Sequence, residues 1–376
     1  MPKALSPQLN RPDQIHALTS LRFFAALYVV FFHEFPGSQK IPSLILHLIS
    51  LGFISVSFFF LLSGYILAIV YLPRTKLETR SFGVARFARI YPLLFITLLA
   101  DTPFLLNQRT AIYGIKPAIV KTIGTLIGNM LLLQAWTAKL QYALNEPAWS
   151  LSVEAFFYAS FPIIGKALWR LHGRSLWYTA TAVYVGGQLA VWLLTVPLHM
   201  GELKFHPLLH LSTFALGILL ARWQRDNNAQ MAPAGPPAML LYATLVLSTA
   251  AFFAIVQLGH RVPYTNLQHG LLAPLFAAVI WALSYPQFRV SQWLSQRWLV
   301  VLGESSFGLY LLHAVVLHWY VGTSKKMTGE QFAVYLFLCV GLSVLSFYYF
   351  ETPVRRWLIS AFKSRSRETL EAASDA

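Results

Sequence analysis

Apolar runs of about twenty residues follow one another along almost the whole of this 376-residue chain, and a helix of that length is what the roughly 30 Å hydrocarbon core of a bilayer requires. A chain of this kind has few options, because in lipid each backbone amide must find its partner inside the protein, and helices do that within one segment. Composition points the same way: 56% of residues are hydrophobic and 11% charged, against about 25% charged in a soluble domain. The expected fold class is therefore an all-α polytopic membrane protein.

The formal charge of +15 would suggest a nucleic-acid partner in a soluble chain. Here Lys and Arg fall in short clusters between apolar runs, so the charge is topogenic, and lipids rather than nucleic acid are the expected surroundings. The lone cysteine, Cys339, lies in an apolar stretch and can form no internal disulfide; packing is its expected role. The segment Met1–Ser20 is polar and no cleavage site follows the first apolar run, so no signal peptide is expected. There is no internal repeat, and the closest approach to a linker is Asp226–Pro237.

Eleven apolar windows stand out, at residues 21–36, 44–71, 87–106, 118–135, 149–168, 177–197, 207–221, 238–258, 268–285, 299–320 and 332–353. Positive clusters fall at Arg74, Lys76, Arg80, Arg86 and Arg89; at Lys166, Arg170 and Arg174; at Arg222 and Arg225; at Arg289 and Arg297; and at Arg355, Arg356, Lys363, Arg365 and Arg367. The positive-inside rule puts all five clusters in the cytoplasm when the N-terminus is cytoplasmic and one window between Arg89 and Lys166 does not cross. The window at 118–135 carries Lys121 and Gly and Asn interruptions, so it is read as a re-entrant or interfacial helix. About ten transmembrane helices with both termini cytoplasmic result, leaving Lys325 and Lys326 outside. The division is a tail over 1–16, a membrane domain over 17–357, and a basic-then-acidic tail over 358–376.

Ionisable residues inside spans are costly and mark pathways or reactive groups. The first span, LTSLRFFAALYVVFFHEF, holds Arg22, His33 and Glu34. Arg22 and His33 are eleven positions apart, three turns plus about 20°, so they share a helix face about 16 Å apart along the axis. Alone, Arg22 reads as a snorkelling anchor and His33 as an interhelical hydrogen-bonding residue; together they form a polar stripe. In NEPAWSLSVEAFFY, Glu154 falls about two turns into a span, with Ser150 on the same face, and a carboxylate there needs a partner such as an imidazole or an Arg. In VARFARIYPLLF, Arg86 and Arg89 converge at i and i+3, a geometry that can grip phosphate and that topology alone would also produce.

Weaker candidates are His313, with Tyr310 three residues before it, and Glu351, which beside Arg355 and Arg356 reads as a structural ion pair. His206 and His210 share a helix face but lack further ligands nearby, so no metal site is expected. Ser63 in FFLLSGY is no nucleophile-elbow serine; Ser-Gly in a span permits close helix packing.

Six stretches in order resemble the membrane-bound acyltransferase-3 family across roughly 17–357. They are LTSLRFFAALYVVFFHEF, an Arg, ten residues and a His; SVSFFFLLSGYIL; RFARIYP, an Arg-x-x-Arg; PAWSLSVEAFFY; LGESSFGLYLLH; and YYFETP. The resemblance implies O-acylation of a carbohydrate or lipid-linked sugar hydroxyl outside the cytoplasm. The donor would be acyl-CoA, usually acetyl-CoA, as a co-substrate bound from the cytoplasm, with no permanently bound cofactor. It implies that His33 and Arg22 are the essential pair, that Glu154 is the acidic partner, and that Arg86 and Arg89 meet the CoA phosphates. Glu34, Ser63, Trp149, Ser150, Tyr310, His313 and Glu351 are supporting candidates.

Departures from the family pattern are Glu146, where an uncharged residue is expected, and Glu34 directly after the histidine; both bear on the acceptor. No appended esterase-like domain, carried by some members, is expected. The implied setting is a bacterial inner membrane, and the acceptor first expected is an exopolysaccharide, then lipopolysaccharide or a glycolipid, selected by the outer loop Asp101–Ala148. His33 would act as general base on the acceptor hydroxyl or as a nucleophile that carries the acyl group. The rival from another class is a transporter or flippase for a lipid-linked sugar or small molecule, in which the same stripe is a substrate path; an inactive sensor ranks last. Nothing in the sequence speaks to oligomeric state.

Overall fold

The computed structural model describes residues 15–37, 41–74, 77–230, 235–257, 264–322 and 327–362. Lys76, Lys325, Lys326, Lys363, Arg365 and Arg367, both tails in large part, and the middle of the 226–237 linker lie outside the described residues. Among the described residues every regular element is helical, as the bilayer argument demands.

In chain order the helices are α1 (His16–Glu34), α2 (Ser43–Ser50), α3 (Ile54–Tyr71), α4 (Thr79–Tyr113), α5 (Ile115–Met130), α6 (Trp149–Trp169), α7 (Gly173–Thr195) and α8 (Pro207–Gln230). Next come α9 (Ala238–Gln257), α10 (Tyr264–Gln268), α11 (Ala273–Leu283), α12 (Arg289–Leu294), α13 (Arg297–Val321) and α14 (Gly329–Ser346). A π-helical turn, Phe347–Glu351, continues α14 into a helix that runs on to Phe362.

Among the described residues eight segments are long and apolar enough to cross a membrane: α1, α3, α4, α6 with the turn before it, α9, α10 with α11, α13, and the helix from α14 to Phe362. The expected windows at 177–197 and 207–221 fall in α7 and α8, which have 23 and 24 residues but are not among the eight. They are long enough, but their mean hydropathy is lowered by residues such as Gln188 in α7 and His210 and Arg222 in α8, which a helix packed against protein can carry. At 16 residues, α5 spans about 24 Å, short of the core thickness. It folds back on α4 after a left-handed Gly114 at φ 77°, a conformation that favours glycine.

The interior gathers around α3, which packs most extensively on α8, and around α13, which packs on α1 and α14. Large apolar side chains from α3, α6 and α8 fill the centre: Phe60, Tyr65, Phe157, Phe161, Phe214 and Ile218 are all buried. Outward-facing positions are apolar too, as at Ile163, Val246, Leu247 and Phe337, which suits lipid rather than water.

Two close approaches set the site's geometry. On the α3–α8 seam a Cβ at Gly64 would lie 2.1 Å from the Phe214 carbonyl oxygen and one at Gly217 2.0 Å from that of Leu61. The Ser-Gly of the sequence is thus a packing contact. On the α1–α13 seam a Cβ at Gly303 would lie 2.1 Å from the Thr19 carbonyl oxygen. This contact holds the helix of His33 against that of His313. Gly303→Ala is expected to force these helices apart and destabilise the fold by about 1–3 kcal/mol, the usual cost of overpacking. A thermal melt in detergent showing no loss would contradict that reading.

Candidate active site

Two adjoining chambers lie among α1, α3, α4, α6, α13 and the helix that continues α14. The wider, about 590 Å³, is lined by six arginines, Arg22, Arg74, Arg86, Arg89, Arg355 and Arg356, against two carboxylates, Glu304 and Glu351. Its excess positive charge suits a polyanion. The narrower, about 120 Å³, shares Arg22, Arg86 and Arg89 and follows α3 past Ser63 to Phe60, Phe59 and Val56. Ser150 and Glu154 of α6 and Tyr310 of α13 line its other side. From Tyr71 to Val56 the lining of α3 covers about 22 Å at 1.5 Å per residue.

The arginines are held by aromatic side chains. Arg86 Nη2 donates to the Tyr71 hydroxyl at 3.1 Å, and its guanidinium lies 5.6 Å from the Tyr71 and Tyr158 ring centres and 5.8 Å from that of Phe82. Cation–π contacts of this kind let a guanidinium sit in a partly apolar wall. Arg86 Nε is buried with no hydrogen-bond partner. Glu154, read in the sequence as a partner for an imidazole or an Arg, accepts a hydrogen bond from the Tyr158 hydroxyl. It sits with the arginines, within electrostatic reach of Arg22 and Arg86, rather than beside His33. Sequence spacing misses Tyr71 and Glu304, which only the fold brings to the chamber; Tyr158 is one turn from Glu154 and could have been found by that spacing.

His33 faces a second histidine. The His33 and His313 rings lie 5.4 Å apart, tilted by 30°, on the two helices that Gly303 lets approach. His33 Nδ1 is 3.0 Å from the Val29 carbonyl oxygen and His313 Nδ1 is 3.3 Å from that of Leu309. A carbonyl can only accept, so in each neutral ring Nδ1 carries the hydrogen and Nε2 the lone pair. Nε2 is therefore the atom of His33 able to take a proton or attack a carbonyl. His33 is half-buried and His313 fully buried.

Neither histidine lines the chambers just described. Tyr310 stands between: its ring lies 6.2 Å from that of His313 on one side and 6.1 Å, edge-on, from Phe59 on the other. Its hydroxyl is within 2.9 Å of Ser150 Oγ and donates to the Pro147 carbonyl at 3.1 Å. The stripe on α1 thus has Arg22 in the arginine-lined chambers and His33 beyond their inner end, reached through Tyr310 and then His313.

The remaining candidates are dispersed. Trp149 stacks on Phe205 at 4.1 Å, in the aromatic packing around Phe60. Glu34 ends α1 directly after His33. Glu351, read in the sequence as a structural ion pair, ends the π-helical turn and faces the wide chamber, accepting from Ser346 Oγ at 3.0 Å. The extra residue of a π turn rotates the helix beyond it, and aims this carboxylate inward. His206 packs on Trp136, while His210 stacks on His269 at 4.4 Å, so the two go to different neighbours. Asp101 of α4 binds His318 Nδ1 of α13 at 2.9 Å, tying the helix of Arg86 and Arg89 to that of Tyr310 and His313.

The chain is 31% identical to acyltransferase MdmB of Streptomyces mycarofaciens over 341 residues, 85% of this chain and 82% of that protein. It is 24% identical to O-acetyltransferase OatA of Staphylococcus aureus over 376 residues, 94% of this chain but 59% of the relative. It therefore spans somewhat more than half the length of that staphylococcal protein. No solved structure matches. Residues 15–351 match the acyltransferase domain that defines the acyltransferase-3 family, so this multi-pass membrane chain belongs to that family.

Proposed function

We propose that the chain transfers a short acyl group, acetyl first, from acyl-CoA to a hydroxyl of an acceptor on the opposite side of the membrane. The observation that carries this reading is the arginine-lined chamber leading to a smaller one whose inner end connects through Tyr310 and His313 to His33. The CoA pyrophosphate and 3′-phosphate would meet Arg86 and Arg89 with Arg22, Arg355 and Arg356 around them, since guanidinium forks match phosphate oxygens. The pantetheine arm then runs along α3, and the thioester arrives beside Tyr310.

His33 Nε2 takes the proton of the acceptor hydroxyl as its oxygen attacks the thioester carbonyl. The C–S bond breaks, the CoA thiolate takes that proton back, and ester and free CoA leave. Loop charge supports a cytoplasmic Arg-rich mouth, with ten crossings, both termini cytoplasmic and α5 within the outer side's long loop; a bacterial inner membrane is the setting. An exopolysaccharide is the first acceptor class, a lipopolysaccharide or other glycolipid the second.

The test is acyl transfer in membrane vesicles supplied with radiolabelled acetyl-CoA on the Arg-rich side. The expected result is alkali-labile label on a surface glycan, lost in vesicles from a deletion strain. Label that is no different between the two strains would sink the proposal.

A further inference from the structure

Resting on the acyl-CoA reading, we infer that the inner chamber is an acyl pocket closed by Phe59 and Tyr310, and that this wall restricts the donor to short acyl chains. The chamber at the arginines holds about 590 Å³ and the one along α3 about 120 Å³. Its inner end is walled by the aromatic rings of Phe59, Phe60 and Tyr310.

Each of these rings is held from behind. Tyr310 is buried, and its hydroxyl bridges Ser150 Oγ and the Pro147 carbonyl. Pro147 lies in the turn that starts α6, so the wall is anchored to a second helix. Beyond Tyr310 stands the His313 ring at 6.2 Å, which leaves it no room to retreat without disturbing the His33–His313 pair. Phe60 is packed edge-on against Phe157 at 5.2 Å and against His210 at 5.1 Å. Phe59, half-buried and edge-on to Tyr310 at 6.1 Å, is the least buried ring of the wall.

An acetyl group fits at the end of such a pocket with its carbonyl carbon held near Tyr310. A longer chain has to displace a ring or draw the thioester back toward the arginines, and adding volume to a packed interior is unfavourable. This expectation has the opposite sign to simple hydrophobic binding. In an open greasy groove each buried methylene would tighten binding by about fourfold, so affinity would climb with chain length.

The experiment needs no acceptor. Equilibrium binding of CoA, acetyl-CoA, butyryl-CoA, hexanoyl-CoA and octanoyl-CoA is measured to the purified full-length protein in lipid nanodiscs. CoA itself reports the nucleotide contacts. Acetyl-CoA is expected to bind at least as well as CoA, and hexanoyl- and octanoyl-CoA at least about tenfold more weakly than acetyl-CoA, the scale on which pockets discriminate by a methylene or more. Phe59→Ala is expected to raise the hexanoyl-to-acetyl affinity ratio by about tenfold, and a ratio is insensitive to the fraction of protein that folds.

Should Phe59→Ala lose CoA binding as well, Phe59→Leu carries the same ratio test. If wild type binds CoA yet shows affinity flat or rising with chain length, the acyl-pocket inference falls and the donor reading stands. If wild type binds CoA and the ratio does not move in either variant, Phe59 is not the wall and the inference likewise falls. If CoA and every acyl-CoA fail to bind the wild type, the donor reading falls and takes the pocket with it.

Discussion

His33→Ala is expected to lower acyl-transfer turnover by about 10²–10⁴-fold, the usual contribution of a positioned general base, while leaving CoA affinity within about threefold of wild type. The second half of that expectation comes from the geometry. Arg22 lines both chambers and His33 lines neither, so removing the imidazole takes away the reactive nitrogen without touching the nucleotide contacts. Had the whole α1 stripe been one binding surface, the two readouts would fall together. Measuring kcat from labelled acetyl-CoA and Kd for CoA on the same preparation separates the cases. Unchanged turnover would remove His33 from the chemistry, and a large loss of CoA affinity would return it to the donor site.

His313 gives a control on the same argument. Its ring, 5.4 Å from His33, is held through Nδ1 by its own helix just as His33 is, and the α1–α13 contact at Gly303 makes the pair possible. One histidine in an apolar span is usually a satisfied packing residue. Two that meet across a seam, one of them half-exposed, form a more specific arrangement.

Local periodicity made the membrane fold legible. Every apolar window overlaps a helix, though 44–71 divides into α2 and α3 and 268–285 into the end of α10 and α11. The polar interruptions at 118–135 fall at α5, which at 16 residues is shorter than the eight candidate spans. The window at 207–221 shows the limit of hydropathy: α8 is central because it packs on α3, and a helix surrounded by protein can carry His210, Gln224 and Arg222 at buried positions. Spacing along one helix also placed Arg22 on the face of His33 and Arg86 beside Arg89, because those relations need only 100° per residue.

What spacing could not supply was the neighbour across a seam. Glu154, expected at a depth comparable to His33, sits instead with Arg22 and Arg86 and accepts from Tyr158, and the ring that meets His33 across a seam comes from α13. Tyr310 as a wall depends on three helices meeting, and Glu351 turns into the chamber because of a π turn that no hydrophobic pattern signals. The Ser-Gly pair was readable as packing for the opposite reason: a glycine's lack of a side chain is itself the local signal of a close approach.

The other large effect concerns the Arg-x-x-Arg, for which the sequence leaves two readings, topogenic charge and phosphate grip. These differ in what lysine should do. Lysine satisfies the positive-inside rule as well as arginine does, but it offers a single ammonium in place of a planar fork. Arg89→Lys is therefore expected to be correctly inserted and to raise the KM for acetyl-CoA by about tenfold, the value of one charge-assisted hydrogen bond of about 1.5 kcal/mol. Arg89→Ala with Arg86→Ala together should raise it by about 10²-fold or more, with the residual affinity less sensitive to salt because fewer charges remain to be screened. Arg86 carries an added burden. Its hydrogen bond to Tyr71 and its contacts with Phe82 and Tyr158 are part of the chamber wall, so Arg86→Ala should also lower thermal stability, which Arg89→Ala should do less. Its buried, unpartnered Nε gives a further sign: acetyl-CoA is expected to raise the melting temperature of wild type and to do so much less in Arg86→Lys, which lacks that N–H. If both lysine variants match wild type in KM and in stabilisation by acetyl-CoA, the arginines serve insertion alone and the phosphates bind elsewhere in the chamber.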